Sequence, residues 1–165
     1  MKRILVFSLV LFAVTACSSA LPASPSIPIS PPPVVIDVPA LLGQSIQDIE
    51  LKLGSPSQIE SLGAGSLDSL PYGGESRYYQ FKNETIFVDY YKGLAVGITV
   101  GSEIFGEDYS FDDWEVALYR LGLAVTSRPD ISGNDSKRWK NYQGYSIRIF
   151  AENGKISIVQ IWKVY

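Results

Sequence analysis

The 165-residue chain contains no histidine and a single cysteine, Cys17. Histidine is the commonest general base and metal ligand, so its absence removes the Ser-His-Asp arrangement and imidazole metal sites together. One thiol allows neither a disulfide nor a thiolate-built zinc site. Gly63-Ala64-Gly65-Ser66 and Pro71-Tyr72-Gly73-Gly74 lack the lysine and the strand–helix setting of a phosphate-cradling loop. Carboxylates remain. Glu103, Glu107, Asp108, Asp112, Asp113 and Glu115 put six acids into 13 residues. That density admits a calcium site, or a solvated loop whose last acids favour a helix start; the second is the reading adopted. Asp130, Ser132, Asn134 and Ser136 alternate oxygens like the start of an EF-hand loop, but Asp135 stands where Gly is required and Asn141 where Glu is required. That match fails. Paired-acid glycoside chemistry needs two carboxylates facing across a cleft, and none declares itself. The expectation is a protein that is not an enzyme, with no catalytic residue, no metal and no cofactor.

Binding chemistry has better material. In the strand-like run Thr85 to Tyr91, side chains alternate, so Ile86, Val88 and Tyr90 oppose Phe87, Asp89 and Tyr91. In Tyr145 to Ala151, Tyr145, Ile147 and Ile149 oppose Ser146, Arg148 and Phe150. The apolar sets should face a core. The mixed sets, Phe87, Asp89, Tyr91, Arg148 and Phe150, should face outward as a partner-binding surface, since Tyr, Phe and Arg in company suit protein contacts. Ordinary cross-strand pairing on a solvated face accounts for them equally well.

The elements that would hold these residues read as α+β. Ser45-Ile46-Gln47-Asp48 and Ser110-Phe111-Asp112-Asp113 are capping-box openings of amphipathic helices; Lys52-Leu53-Gly54 and Arg120-Leu121-Gly122 close them. Three strand-like runs follow each: Tyr78 to Lys82, Thr85 to Tyr91 and Leu94 to Val100, then Arg138 to Tyr142, Tyr145 to Ala151 and Lys155 to Val164. Turns fall at Asn83-Glu84, Lys92-Gly93, Gln143-Gly144 and Asn153-Gly154, the last being the strongest hairpin signal. The expected fold is two helix–strand–strand–strand repeats, 38–101 and 108–165, sharing one antiparallel sheet with helices on one face. The connection Ser55 to Ser76 is long for a compact domain. It is either a recognition loop at one end of the outward face, footed by Leu67, Leu70 and Tyr72, or a tolerated insertion.

This layout resembles the β-lactamase-inhibitor-protein type of fold and the SmpA/OmlA outer-membrane lipoprotein family, which shares its single unit. The similarity is carried by Leu41-Leu42-Gly43-Gln44-Ser45-Ile46-Gln47-Asp48 and its continuation to Leu53-Gly54-Ser55-Pro56. It implies a helical pair on one face of an antiparallel sheet. Function follows from it only weakly.

At the other end, Lys2 and Arg3 precede the apolar run Ile4 to Ala16, which reads as a secretory signal at 1–16. A membrane-spanning helix needs about 20 apolar residues, more than this run holds. Val14-Thr15-Ala16-Cys17 resembles the lipobox of bacterial lipoproteins, which implies cleavage before Cys17 and acylation of its sulfur. Several acyl chains hold a protein stably at a bilayer. Residues 17–37 then form a tether rich in Pro, Ser and Ala, extending about 3.1 Å per residue. The domain occupies 38–165. Loss of Lys2 and Arg3 takes the net charge from −3 to −5, a poor match to nucleic acid. The expected protein is exported and lipid-anchored: to the outer membrane where two membranes are present, as Ser18 after the cysteine implies by resemblance, otherwise to the outer face of the cell membrane. Its expected work is non-catalytic binding of an envelope or secreted protein through the open sheet face; the alternative is an envelope structural or assembly accessory of the SmpA/OmlA kind.

Overall fold

The computed structural model describes residues 32–164; Cys17, the signal segment and most of the tether lie outside them. The described residues open with α1, Val38–Leu41, and α2, Ile46–Leu53. Four strands follow, β1 at Gln58–Leu62, β2 at Gly74–Phe81, β3 at Glu84–Tyr91 and β4 at Leu94–Gly101. A 3-10 turn at Phe111–Asp113 leads into α3, Trp114–Arg120. Strands β5 at Ile131–Ser132, β6 at Ser136–Tyr142, β7 at Tyr145–Glu152 and β8 at Lys155–Lys163 complete the chain. All eight join one sheet in the order β1-β2-β3-β4-β8-β7-β6-β5, every pairing antiparallel.

This architecture corrects the expected fold class. The molecule is one eight-stranded sheet with a few short helices, and does not divide into two helix–strand–strand–strand repeats carrying helices on one face. Among the described residues, α-helix is confined to pieces of four, eight and seven residues. The segment after Ser110 starts as a 3-10 turn, so the Ser110 hydroxyl accepts the Asp112 amide at 3.3 Å and not that of Asp113. Ser45 does accept the amide three residues on, from Asp48 at 3.2 Å. The physical reason for the misreading lies in what the two stretches share. Serine caps, closing glycines and two-residue turns are needed by any short helix and any hairpin, so their agreement reports local chemistry and not equivalent modules. The central pairing of β4 with β8 then fuses both halves.

Hairpin positions follow the turn chemistry closely. Lys92, Gln143 and Asn153 take positive φ near 50° and each precedes a glycine, also at positive φ, the backbone that two-residue turns demand. The first turn sits one residue earlier than its sequence suggests, with Lys82 at φ 57° between β2 and β3. The core lies where Ile86, Val88, Ile98, Ile147, Ile149 and Ile161 meet Val38, Ile49, Leu118 and Leu121, all 1% exposed or less. Register explains the layer: Val88 pairs with Ile98, Ile98 with Ile161 and Ile161 with Ile147 across four neighbouring strands. Their chain neighbours therefore point to the opposite face, which carries the candidate site.

Candidate binding face

The face opposite the core is built by period-two alternation and by pairing. One row runs Tyr78, Phe87, Thr99, Gln160, Arg148 and Arg138 across β2, β3, β4, β8, β7 and β6; the next runs Glu60, Ser76, Asp89, Gly97, Trp162 and Ser146. A register shift at Asp89/Tyr90 leaves Val96 as the extra residue of β4. Such bulges re-aim side chains and sit often beside functional sites.

This face is not open. The segment between β1 and β2 crosses it as a strap. At its middle, the Ser69 hydroxyl donates to Asp89 Oδ2 at 2.5 Å, and Ser76 donates to Oδ1 at 2.8 Å. One residue earlier, Asp68 Oδ2 accepts from Arg148 at 2.9 Å and lies 4.0 Å from Arg138. Leu70 is buried at 1% exposure, whereas Leu67 and Tyr72 stay 40% and 77% exposed, so only one of the three expected apolar footings is used. Gly97 gives the strap its clearance: a Cβ there would meet Ser69 Cβ at 2.7 Å and Asp89 Oδ2 at 2.9 Å. The long connection thus spans the sheet instead of sitting at its end.

Asp89 is the unusual group. It is 4% exposed, and burial pushes its carboxyl above the ordinary range, an effect the hydroxyls of Ser69 and Ser76 partly offset. At the rim, hydrogen bonding to Glu60 raises the Tyr78 phenol; its O–H donates to Glu60 Oε2 at 2.6 Å.

The strap divides the face into two cavities, and Asp68, Ser69 and Trp162 line both. The first, of about 550 Å³, is a groove floored by Phe87, Thr99, Gln160 and Arg148 and edged by Tyr78 and Glu60. Tyr78 and Phe87 meet edge to face at 4.8 Å. The second, of about 450 Å³, holds Tyr72, Tyr91, Val96, Arg138 and Lys140. Of the five residues expected to bind a partner, Phe87, Asp89 and Arg148 come together in the first cavity. Asp89 lies at its base, latched to the strap. Tyr91 falls on the other side, 6.0 Å from Tyr72. Phe150 stands beside Arg148, whose guanidinium lies 5.6 Å from its ring, and lines neither cavity.

Sequence reasoning missed Asp68, Ser69, Tyr78, Arg138, Gln160 and Trp162. For Arg138 and Gln160 a signal existed, since each alternates with a buried apolar neighbour along its strand; Trp162, itself buried beside Ile161, carries none. Three acids of 103–115 have local partners: Glu107 Oε1 accepts from Arg120 and from the Tyr109 hydroxyl, both at 2.6 Å, Asp108 pairs with Lys155, and Asp112 lies 3.8 Å from Lys137. Among the described residues, no group of three or more His, Cys, Asp or Glu is placed to hold a metal.

No protein-family model and no curated protein sequence matches the chain. Solved structures do resemble it. A cysteine-rich secretory protein from Staphylococcus aureus aligns over 77% of this chain and 46% of its own, with TM-score 0.51 and 11% identity. An extracellular protein containing an SCP domain, from Bacillus anthracis, aligns over 87% and 50%, with TM-score 0.52 and 12% identity. The chain spans about half the length of each. At such identities the likeness is one of fold alone. A Streptococcus mutans protein provisionally described as a β-lactamase inhibitor protein aligns over 72% of this chain and 82% of its own, at 18% identity and TM-score 0.31, too low to carry an argument.

Proposed function

We propose that the chain is an exported lipoprotein, held at a bacterial membrane by lipid on Cys17, that binds an envelope or secreted protein through the strapped face of its sheet without catalysing a reaction. The anchoring half rests on the charged and apolar leader and on Val14-Thr15-Ala16-Cys17. The binding half rests on one observation: a concave groove of about 550 Å³ that gathers Tyr78, Phe87, Arg148 and Trp162 on one surface. Aromatic residues and arginine dominate the energetic centres of protein interfaces because each gives large contact area and a directional polar group together. A groove walled by a strap also offers the partner a bounded seat.

The test is capture of a partner from detergent-solubilised membranes by the lipidated chain and by a Gln160→Tyr variant, which fills the groove floor. The expected outcome is a discrete partner retained by the wild type and lost from a variant with the same urea midpoint. Equal capture by both would move the binding surface elsewhere. A co-purifying outer-membrane barrel in place of a discrete soluble partner would favour the assembly-accessory alternative.

A further inference from the structure

We propose that the second cavity, on the far side of the strap from the groove, binds carboxylates, that its occupant is an acidic segment of the protein partner, and that Asp68 is a competing carboxylate built into the chain. The inference rests on the sheet face being a protein-binding surface, and names the chemistry that surface recognises.

Arg138 and Arg148 are register partners on β6 and β7. Like charges directly opposite on neighbouring strands repel. Both guanidinium groups nevertheless converge on one indole, at 5.8 and 5.6 Å from the Trp162 ring. Guanidinium planes held against an aromatic ring keep a fixed fork of N–H groups, the geometry that suits a carboxylate. The chain supplies one such carboxylate and satisfies only one fork with it: Asp68 Oδ2 is 2.9 Å from Arg148 but 4.0 Å from Arg138. Arg138 Nε is buried with no hydrogen-bond partner among the described residues.

Charge around the second cavity points the same way. Its lining includes the cationic side chains of Arg138 and Lys140, with Asp68 the one acid among the described lining residues; Lys163 borders it too, but its ammonium lies beside Gly43 on the helix side of the sheet. Lys140 forms no ion pair among the described residues. The chain as a whole carries −3, so this cationic concentration is local and not compositional. Tyr72 and Tyr91 pack on each other with ring centroids 6.0 Å apart and give the cavity one aromatic wall, which suits a peptide side chain better than a bare ion. Asp68 itself is 58% exposed. An ion pair so open to water is worth about 0–1 kcal/mol, so a stronger carboxylate can displace it.

The test uses the full lipidated chain in neutral detergent micelles, titrated with acetyl-Glu-Tyr-Glu-Tyr-amide, with acetyl-Lys-Tyr-Lys-Tyr-amide and with inorganic phosphate. Affinity is read by calorimetry, and position by the indole N–H resonance of Trp162. The acidic peptide is expected to bind and shift that resonance. Arg138→Gln should weaken it roughly tenfold, the loss of one charge-assisted hydrogen bond. Asp68→Asn should tighten it by about twofold to fivefold, the release of one exposed ion pair; a purely structural Asp68 would give the opposite sign. Asp68→Ala should tighten it likewise, and a urea midpoint equal to wild type for either variant keeps the comparison sound. Preference for the basic peptide, equal affinity for phosphate, or weaker peptide binding in both folded Asp68 variants would each overturn the proposal. A Trp162 resonance unmoved by the acidic peptide would overturn it too, and if Gln160→Tyr still abolished partner capture, the face would remain a binding surface while its carboxylate chemistry failed.

Discussion

Replacing Ser69 by Ala removes one hydrogen bond, 2.5 Å long, from a carboxylate that is 4% exposed. Asp89 keeps its second donor, Ser76 at 2.8 Å, so the group is weakened and not orphaned. A hydrogen bond to a charged group contributes about 1.5–3 kcal/mol, against about 1 kcal/mol for a neutral pair. Ser69→Ala should therefore cost about 1.5–3 kcal/mol where Asp89 is ionised, shrinking towards about 1 kcal/mol once it is protonated. Burial raises the Asp89 pKa, and the serine hydroxyls only partly oppose that. A carboxyl raised on folding adds stability that is fully present below its unfolded pKa and is lost as pH rises through its folded pKa. Acidification from neutrality should then stabilise the wild type relative to Asp89→Asn, whose neutral amide has no such dependence. Urea unfolding followed by tryptophan fluorescence measures the global effect. Hydrogen exchange at the Leu70 and Gly73 amides, bonded within the strap to Leu67 and Leu70 carbonyls at 3.0 Å each, measures local release. A Ser69→Ala cost under about 0.5 kcal/mol at every pH, the size of an ordinary surface substitution, with strap exchange unchanged, would refute the latch.

Gly97→Ala should force the strap off β4, costing about 1–3 kcal/mol by overpacking, whereas Gly54→Ala, with nothing within 4 Å but φ 85° and ψ −174°, should cost about 1–3 kcal/mol through backbone strain alone; strap exchange, disturbed only by Gly97→Ala, separates the two. Ser45→Ala removes the cap of α2 and should cost about 1 kcal/mol, read from the same midpoints. Cys17→Ala should abolish incorporation of radiolabelled palmitate and leave the precursor uncleaved; a correctly cleaved variant that still partitions into the detergent phase would contradict the anchor.

How much was legible depends on the distance between a residue and what determines its place. Asn153-Gly154 and Lys92-Gly93 carry their turn geometry within two residues, and the hairpins form there. Alternation likewise sends Ile86, Val88 and Tyr90 to the core. Strand β1 was not legible: Gln-Ile-Glu-Ser-Leu has weak alternation, and it is an edge strand paired only with β2. Nor was the burial of Asp89, because its cover, Ser69, comes from 20 residues upstream. Trp162 meets Arg138 and Arg148 only through the registers of β6, β7 and β8, which no local pattern states. The two helical segments misled for the converse reason: their caps are local and strong, yet the sheet sets the architecture.

The most direct measurement is site-specific photocrosslinking in membranes of cells that produce the chain. A photoreactive phenylalanine analogue at Tyr78 places the probe on the groove edge, and the same analogue at Leu51, 85% exposed on α2, serves as the control. A binding face opposite the core predicts a single discrete protein adduct from position 78, absent from position 51 and lost when Gln160→Tyr is added. An adduct from position 51 and none from position 78, in a chain that folds and anchors normally, would contradict it.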